Sequence, residues 1–411
     1  MSIFVSIAAY RDPQLVPTLR DCIARARFAQ DLRFGICWQH GEDEARPGDF
    51  DDPRVRVIDV PWRDSGGACW ARAAVMSLYD GEDFFLQIDS HHRFVQDWDT
   101  RLIGHAERSG AAKPLLTSYA APFDPAAPLP DGEPMQMDFD RFTEDAIPLF
   151  RPRPIAGWHE RAQPLKARFV SGHFLFAPGC FVADVPYDPE LYFHGEEITL
   201  SVRAFTHGYA LLHPPEHILW HEYTRANRSK HWDDHVAAQG VAREWHQSDA
   251  ISRAKIRRFL VGQLVGAHGC GKMRSFADYE AYAGLSFRHK AAQDATLRGD
   301  EPPNAPAPPD WATREREWRV RIVLDRAALP EAALANPAFW YVGFHDADDA
   351  EIHRADAEGE ELRRLLDMPQ PAIERRFQSS RQPARWTVWP ADGGAAWLEK
   401  QGGPVERGMF V

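Results

Sequence analysis

The run IFVSIAAYRDPQLVPTLRDCIARA at residues 3–26 decides how the chain folds. Ile3 to Ala9 is apolar and rich in β-branched residues without polar alternation, which fits a strand buried on both faces of a parallel sheet. Asp12 and Pro13 then read as a helix start, with Asp as N-cap and Pro at the first helical position. Val16, Leu19, Ile23 and Ala26 fall on one helical face.

The same alternation continues outward. Arg33–Gln39 and Val55–Trp62 read as strands, Ala68–Tyr79 as a helix and Asp83–Asp89 as a strand. Asp97–Arg108 reads as a helix and Leu115–Tyr119 as a strand. Strands and helices in this order predict an α/β domain with a mainly parallel sheet and flanking helices.

Between Ala121 and Arg168 the pattern dissolves, with nine prolines in the stretch. A loop this long is functional or mobile. Its aromatic residues Phe123, Phe139, Phe142, Phe150 and Trp158 either stack on a ligand or pin the loop to the surface. RFVSGHFLFAPGCFVAD at 168–184 reads as two strands around Pro178-Gly179. Glu196–Phe205 reads as a helix, Tyr209–Leu212 and Ile218–Tyr223 as short strands, and 226–290 as mostly helical.

EPPNAPAPPDW follows, with five prolines between 302 and 309, a semi-rigid spacer. Beyond it WRVRIVLD and FWYVGFHD alternate like strands, and TVWPADGGAAW suggests a hairpin. The expected organisation is a core over 1–225, a helical extension completing it over 226–296, a linker at 297–310 and a small all-β, sandwich-like accessory domain at 311–411. Trp340, Tyr341, Trp386 and Trp389 read as sandwich aromatics, with a carbohydrate surface as the alternative.

A net charge of −12 over 411 residues repels nucleic acid and anionic membranes, so neither is expected as a partner. The five cysteines are widely spaced without a C-x-x-C pair, which predicts a reducing compartment and no zinc module. The N-terminus lacks a basic n-region with a long apolar core, and no apolar run approaches a membrane span. The expected location is the cytoplasm.

The chemistry begins at FFLQIDSHHRF, residues 84–94. An apolar strand ends at Asp89, and ligands of open α/β sheets bind beyond the carboxyl ends of strands. Side chains at i and i+2 of an extended segment share a side, so Asp89 and His91 can converge on one cation. A carboxylate with an imidazole suits Mn²⁺ or a similar ion better than Mg²⁺. His92 and Arg93 read as solvated residues past the strand. Glu196 and Glu197 open a helix after Gly195, either as favourable charges at its N-terminus or as site carboxylates. His221 follows an apolar ILW run and offers a third ligand, or simply ends a strand.

Together FFLQIDSHHRFVQDWD, FVSGHFLFA, FHGEEITLSVRAF and ILWHEY resemble the GT-A (Rossmann-like) glycosyltransferases. The resemblance is to the GlcNAc-transferases of glycosyltransferase family 60, whose eukaryotic members modify hydroxyproline on Skp1. More remotely it extends to the mucin-type polypeptide GalNAc-transferases, which share the Asp-x-His (DXH) motif. It runs from the first strand to about residue 290, through GKMRSFADYEAYAGLSF.

That resemblance implies Asp89, His91 and His221 as ligands of Mn²⁺ or another divalent cation. It implies nucleotide contacts from Tyr10, Arg11 and Asp12, and from Arg72 in SGGACWARAA, although Arg11 and Arg72 read equally as ordinary ion pairs. Gly172 and His173 would let the donor sugar approach the backbone. Glu196 and Glu197 would face donor sugar and acceptor hydroxyl, as general base under inversion. Retention, which the family implies, leaves the acid to orient hydroxyls or balance charge at the anomeric carbon; which of the two acids is essential stays open. The expected activity is metal-dependent transfer of a sugar, GlcNAc by family, from a UDP-sugar to a hydroxyl on a protein or glycan. The alternatives are a non-catalytic nucleotide-sugar or carbohydrate-binding protein, and a metal-dependent hydrolase.

Overall fold

The computed structural model describes residues 1–224, 228–394 and 396–410. One unit comprises residues 1–139, 150–283 and 298–304; the other comprises 140–149, 284–297 and 305–411.

The first unit is built on β1 (Ile3–Tyr10), β2 (Leu32–His40), β3 (Val55–Pro61) and β4 (Phe84–Asp89). After β5 (His92–Phe94) come β6 (Pro114–Thr117), β7 (Ala121–Pro122) and β10 (Leu165–Lys166), with β8 (Met135–Phe142) and β9 (Pro148–Pro154) between them carrying residues of both units. β11 (Phe174–Pro178), β12 (Ala210–His213) and β13 (Leu219–His221) complete the set. The main sheet has eight strands in the order β10-β12-β6-β11-β4-β1-β2-β3. β3, β2, β1 and β4 run parallel. β11 is antiparallel to both β4 and β6, so β6 runs with β4, and β12 pairs parallel to β6. The carboxyl ends of β1, β4 and β6 therefore open on one edge, where β11 begins. The mixed α/β fold expected from the sequence is the one observed.

The core explains why the inner strands carry so little polar sequence. Val5, Ile7, Phe34, Ile36, Leu86, Ile88, Phe174 and Phe176 belong to one buried cluster shared with Leu19, Cys22, Trp98 and Leu102 of the flanking helices. A strand covered on both faces has no side left for polar alternation.

Several local expectations change. The first helix is Leu15–Arg25, two residues later than the Asp12-Pro13 signal, and it buries Leu15, Thr18, Leu19 and Cys22. Asp12 does not cap it conventionally; one carboxylate oxygen accepts from Gln14 N at 2.8 Å and the other is drawn to His91. The stretch from 121 to 168 is not structureless, since it contains β7, the paired strands β8 and β9, and β10. Prolines hid β9, which tolerates them because it is an edge strand of a two-stranded ladder. Phe123 and Phe139 in this stretch are buried, which agrees with pinning. Only one strand, β11, forms around Pro178; Gly179 turns where an added Cβ would meet Glu82 O at 2.1 Å, and Phe181–Asp184 is a helical turn.

The helical stretch resolves into His231–Asp234, Trp245–Leu260 and Phe276–Ala283 with turns between. The expected boundary between 225 and 226 lies outside the described residues. Residues 284–297 group with the second unit, and the last passage from one unit to the other falls at 304/305, inside the Pro-rich stretch.

In the second unit, antiparallel strands Arg316–Val323 and Ala372–Ser379 pair with each other, while Pro337–His345 and Arg385–Asp392 lie in a four-stranded sheet. Trp318, Val320 and Ile322 share one core with Trp340, Val342, Phe344 and Trp386. The helix Gly359–Asp367 adds Leu362 and Leu365 to it. Tyr341 and Trp389 are cross-strand partners and only partly buried. No helix among the described residues is long and apolar enough to cross a membrane.

Gly35 in β2 shows how tightly the first core is packed. A Cβ there would stand 2.4 Å from Phe4 Cζ and 2.9 Å from Val75 Cγ1. Gly35→Val overpacks the site and is expected to destabilise the fold by about 1–3 kcal/mol, read as a lower urea midpoint at unchanged m-value. An unchanged midpoint would mean the Phe4 ring moves aside freely.

Candidate functional site

The parallel register sets Asp89 beside Ala8 at the ends of β4 and β1. β5 follows at once and pairs antiparallel with β13, placing His221 opposite His92. Asp89, His91 and His221 thereby offer ligand atoms within 4.8 Å of one another. His221 Nε2 is 3.3 Å and His91 Nε2 is 3.6 Å from the same oxygen, Asp89 Oδ2.

The ring of His91 is oriented from behind. Its Nδ1 stands 2.7 Å from Asp12 Oδ2, an oxygen that only accepts, so Nδ1 carries a proton and Nε2 faces Asp89. Ser90 Oγ and Arg228 Nη1 donate to that oxygen at 2.7 and 2.9 Å. Burial opposes ionisation of Asp12, but His91, Arg228 and Ser90 outweigh it and hold the carboxyl below its usual range. Arg228 Nη1 also contacts both ring nitrogens of His91, Nδ1 more closely than Nε2. Asp12, assigned from the sequence to the nucleotide, is placed as the partner that orients a metal-ligand candidate.

Arg72 is almost wholly buried. Its Nη2 donates to Asp89 Oδ1 at 2.5 Å, and its Nη1 donates to Glu196 Oε1 and to the Gly172 carbonyl. Burial works against the Asp89 carboxylate, yet Arg72, His221 and His91 prevail and keep it well below the ordinary carboxylate range.

The donor set fits a divalent cation of the Mn²⁺ kind. It combines one ionised carboxylate with two imidazoles. Burial pushes His221 well below its ordinary pKa, so its ring is neutral, and its Nδ1 is buried without a hydrogen-bond partner among the described residues.

The two glutamates at the start of the helix Glu196–Thr206 diverge. Glu196 is buried, taken up by Arg72 and by Tyr187 OH at 2.6 Å. Glu197 is partly exposed; it accepts from Gly172 N at 3.0 Å and from Tyr119 OH at 2.8 Å. Burial of its carboxyl raises the pKa to about 7, against the lowering effect of those two donors.

Gly172 sits where an added Cβ would stand 3.2 Å from both Arg72 Nη1 and Glu196 Oε2. His173 is buried, accepts from Ala120 N at 3.1 Å and lies with its ring 4.4 Å from that of His221. Tyr10 and Arg11 both donate to Asp234, at 3.0 and 2.7 Å, and the Tyr10 ring packs 3.8 Å from His231. Arg11 holds φ of +46°, a left-handed conformation unusual for a side-chain-bearing residue.

Thus Asp89, His91, His221, Arg72, Gly172, Glu196 and Glu197 form one connected group, while Tyr10 and Arg11 are engaged with His231–Asp234. Sequence reading missed Tyr119, Tyr187, Gln87 and Arg228. Gln87 Nε2 donates to the Gly172 carbonyl and Tyr187 OH, both at 2.6 Å. An amide inside an otherwise apolar strand was the available signal. His92 is not solvated; it is wholly buried with Nδ1 on Trp220 O at 2.8 Å, and Arg93 donates to Gln14 Oε1 at 2.6 Å.

The class of protein is that of a glycosyltransferase. The glycosyltransferase (GlcNAc) family model matches residues 2–52 and 48–289, and the chain belongs to that family. No curated protein matches it in sequence. Among solved structures it is similar to GalNAc-T7 with UDP, GalNAc and Mn²⁺, at 12% identity and a TM-score of 0.45, covering 68% of this chain and 54% of that one. It is also similar to S. aureus TarS 1-349, at 12% identity and a TM-score of 0.36, covering 63% and 72% of the two chains. For S. aureus TarS the identity is 10%, the TM-score 0.36 and the coverage 99% and 77%. The chain thus spans about half the length of GalNAc-T7.

Two outcomes test this geometry. Asp12→Asn keeps the shape behind His91 but removes the charge, and should weaken Mn²⁺ binding by about 10–100-fold in calorimetric titration. Unchanged affinity would remove Asp12 from the site. Glu197, with a folded pKa near 7 against an ordinary 4.5, favours folding only while protonated, so its contribution is lost as pH climbs from 4.5 to 7. Glu197→Gln should therefore stabilise the protein at pH 8 and change little at pH 4.5. Equal urea midpoint shifts at both pH values would contradict the raised pKa.

Proposed function

We propose that the protein transfers GlcNAc from UDP-GlcNAc to a hydroxyl group of a protein or glycan acceptor, with retention of configuration and dependence on a divalent cation such as Mn²⁺. The observation that carries this reading is the convergence of Asp89, His91 and His221 at the carboxyl edge of the sheet, joined through Arg72 to the glutamate pair. The cation held there would neutralise charge on the departing diphosphate.

The chain's own groups divide the work. Arg72 holds Asp89 Oδ1, so that Oδ2 faces the imidazoles, and its charge is assigned to the diphosphate. Asp12 holds the His91 tautomer. Tyr10 and Arg11, at the end of β1, are assigned to the nucleotide, the ring against uracil and the guanidinium near phosphate. Gly172 and His173 are assigned to the donor sugar. Glu196 locks Arg72, which leaves Glu197 as the acid facing sugar and acceptor, where it orients hydroxyls and balances charge at the anomeric carbon. The C-terminal unit serves as an accessory module. The described cysteines are unpaired, and we place the protein in the cytoplasm, with neither nucleic acid nor membrane as partner.

UDP release from UDP-GlcNAc, UDP-GalNAc and UDP-glucose, with and without Mn²⁺, tests the reading. Mn²⁺-dependent release from UDP-GlcNAc should fall at least about 100-fold in Asp89→Ala and in His221→Ala, a loss of ~2.7 kcal/mol or more in transition-state stabilisation. Release that survives in both variants would sink the metal assignment. Hydrolysis that no hydroxyl acceptor accelerates would favour a hydrolase, and Mn²⁺-dependent UDP binding without turnover of any donor would favour a binding protein.

A further inference from the structure

The second unit contains a cavity of about 340 Å³, apart from the chemistry described above. Four cationic side chains line it, Arg141, Arg288, Lys290 and Arg381, against two carboxylates, Asp346 and Asp348. In a chain of net charge −12 this local excess of positive charge is unusual.

The carboxylates are already committed. Asp346 is buried, accepts from Arg381 at 2.7 Å, and takes the backbone N–H groups of Asp348 and Ala350 at 2.9 and 3.0 Å. Lys290 pairs with Asp348, and Arg141 with Asp140. Arg288 has no ion-pair or hydrogen-bond partner among the described residues and is exposed. A guanidinium facing a cavity with two others nearby offers the forked donors that bind phosphate or carboxylate.

Gln382 supplies an independent observation. It lines the same cavity, is 7% exposed, and its side-chain Oε1 is buried with no hydrogen-bond partner among the described residues. A buried amide oxygen without a donor is costly and rare, and a ligand hydroxyl would satisfy it. Phe142, also in the lining and buried, gives an apolar wall for the face of a sugar ring. The volume suits a small ligand, near the lower end of the roughly 300–1,000 Å³ found for such sites.

We propose that this cavity binds an acidic saccharide, with its phosphate or carboxylate on the arginines and a hydroxyl donating to Gln382 Oε1. The site belongs to the accessory unit and does not depend on the reading of the catalytic edge. An anion on the arginines together with a hydroxyl on Gln382 separates this ligand class from free phosphate and from neutral sugars.

Calorimetry on the full chain with glucose 6-phosphate, glucuronate, inorganic phosphate and glucose tests it. At least one acidic sugar should bind about tenfold or more tightly than phosphate and glucose, and the stronger of the two identifies phosphate or carboxylate as the anion. Arg288→Ala, at an exposed unpartnered position, should weaken that binding about tenfold. Gln382→Leu removes a buried unpaired oxygen and should fold normally, while lowering the acidic sugar to the affinity of its bare anion. Binding that survives Arg288→Ala unchanged, equal binding of glucose, or no binding of either acidic sugar at about 10 mM would overturn the proposal.

Discussion

The candidate site depends on one buried guanidinium. Arg72 comes from the helix Ala68–Met76 and divides its nitrogens between Asp89 at the end of β4 and Glu196 at the start of a helix more than a hundred residues later. Charges taken out of water are costly unless paired and hydrogen-bonded; both terminal nitrogens of this one are engaged, one of them also on the Gly172 carbonyl, while its Nε is buried with no hydrogen-bond partner among the described residues. The pairing works in both directions. Without Arg72, Glu196 would be left as a buried carboxylate without its cation, and Asp89 would lose the contact that turns Oδ2 toward the imidazoles. The close fit explains the glycine at 172 on packing grounds, since a side chain there would press on the Arg72–Glu196 pair.

Asp12 imposes the second restraint. It fixes the proton on His91 Nδ1, while Arg72 fixes the orientation of Asp89. The two ligand candidates closest in sequence are therefore positioned by different partners from different elements. Neither restraint is local. Asp12 thus serves two ends at once, one oxygen accepting from Gln14 N just before the helix and the other spent on a contact 79 positions away.

What was legible in the sequence follows from how local each feature is. The parallel strands β1, β2 and β4 could be read from unbroken apolar runs, and Asp89 with His91 from their place at a strand end. His221 could be offered as a third ligand from its place after an apolar run, with a strand end as the alternative, since the β5–β13 register that delivers it leaves no local trace. β9 was hidden because Pro148, Pro152 and Pro154 argue against a strand unless it is known to be an edge. Tyr119 and Tyr187 were missed for a related reason. Each lies just outside regular structure, where a tyrosine looks like any half-buried aromatic until its hydroxyl is seen on a glutamate.

The glutamate pair shows how much three dimensions add to a motif. Adjacent residues on a helix point about 100° apart. At this helix start that rotation sends Glu196 into the Arg72–Tyr187 pair and Glu197 toward Tyr119 and the Gly172 amide. One acid meets a cation and the other meets only neutral donors. Burial is then free to lift Glu197 toward neutrality, a range where a carboxyl can exchange a proton at physiological pH. Two identical letters in the sequence thus meet different surroundings, one holding the guanidinium that shapes the site and the other left with a raised pKa. The division comes from the partners each acid meets rather than from the acids themselves, so it depends in turn on where Arg72 is anchored.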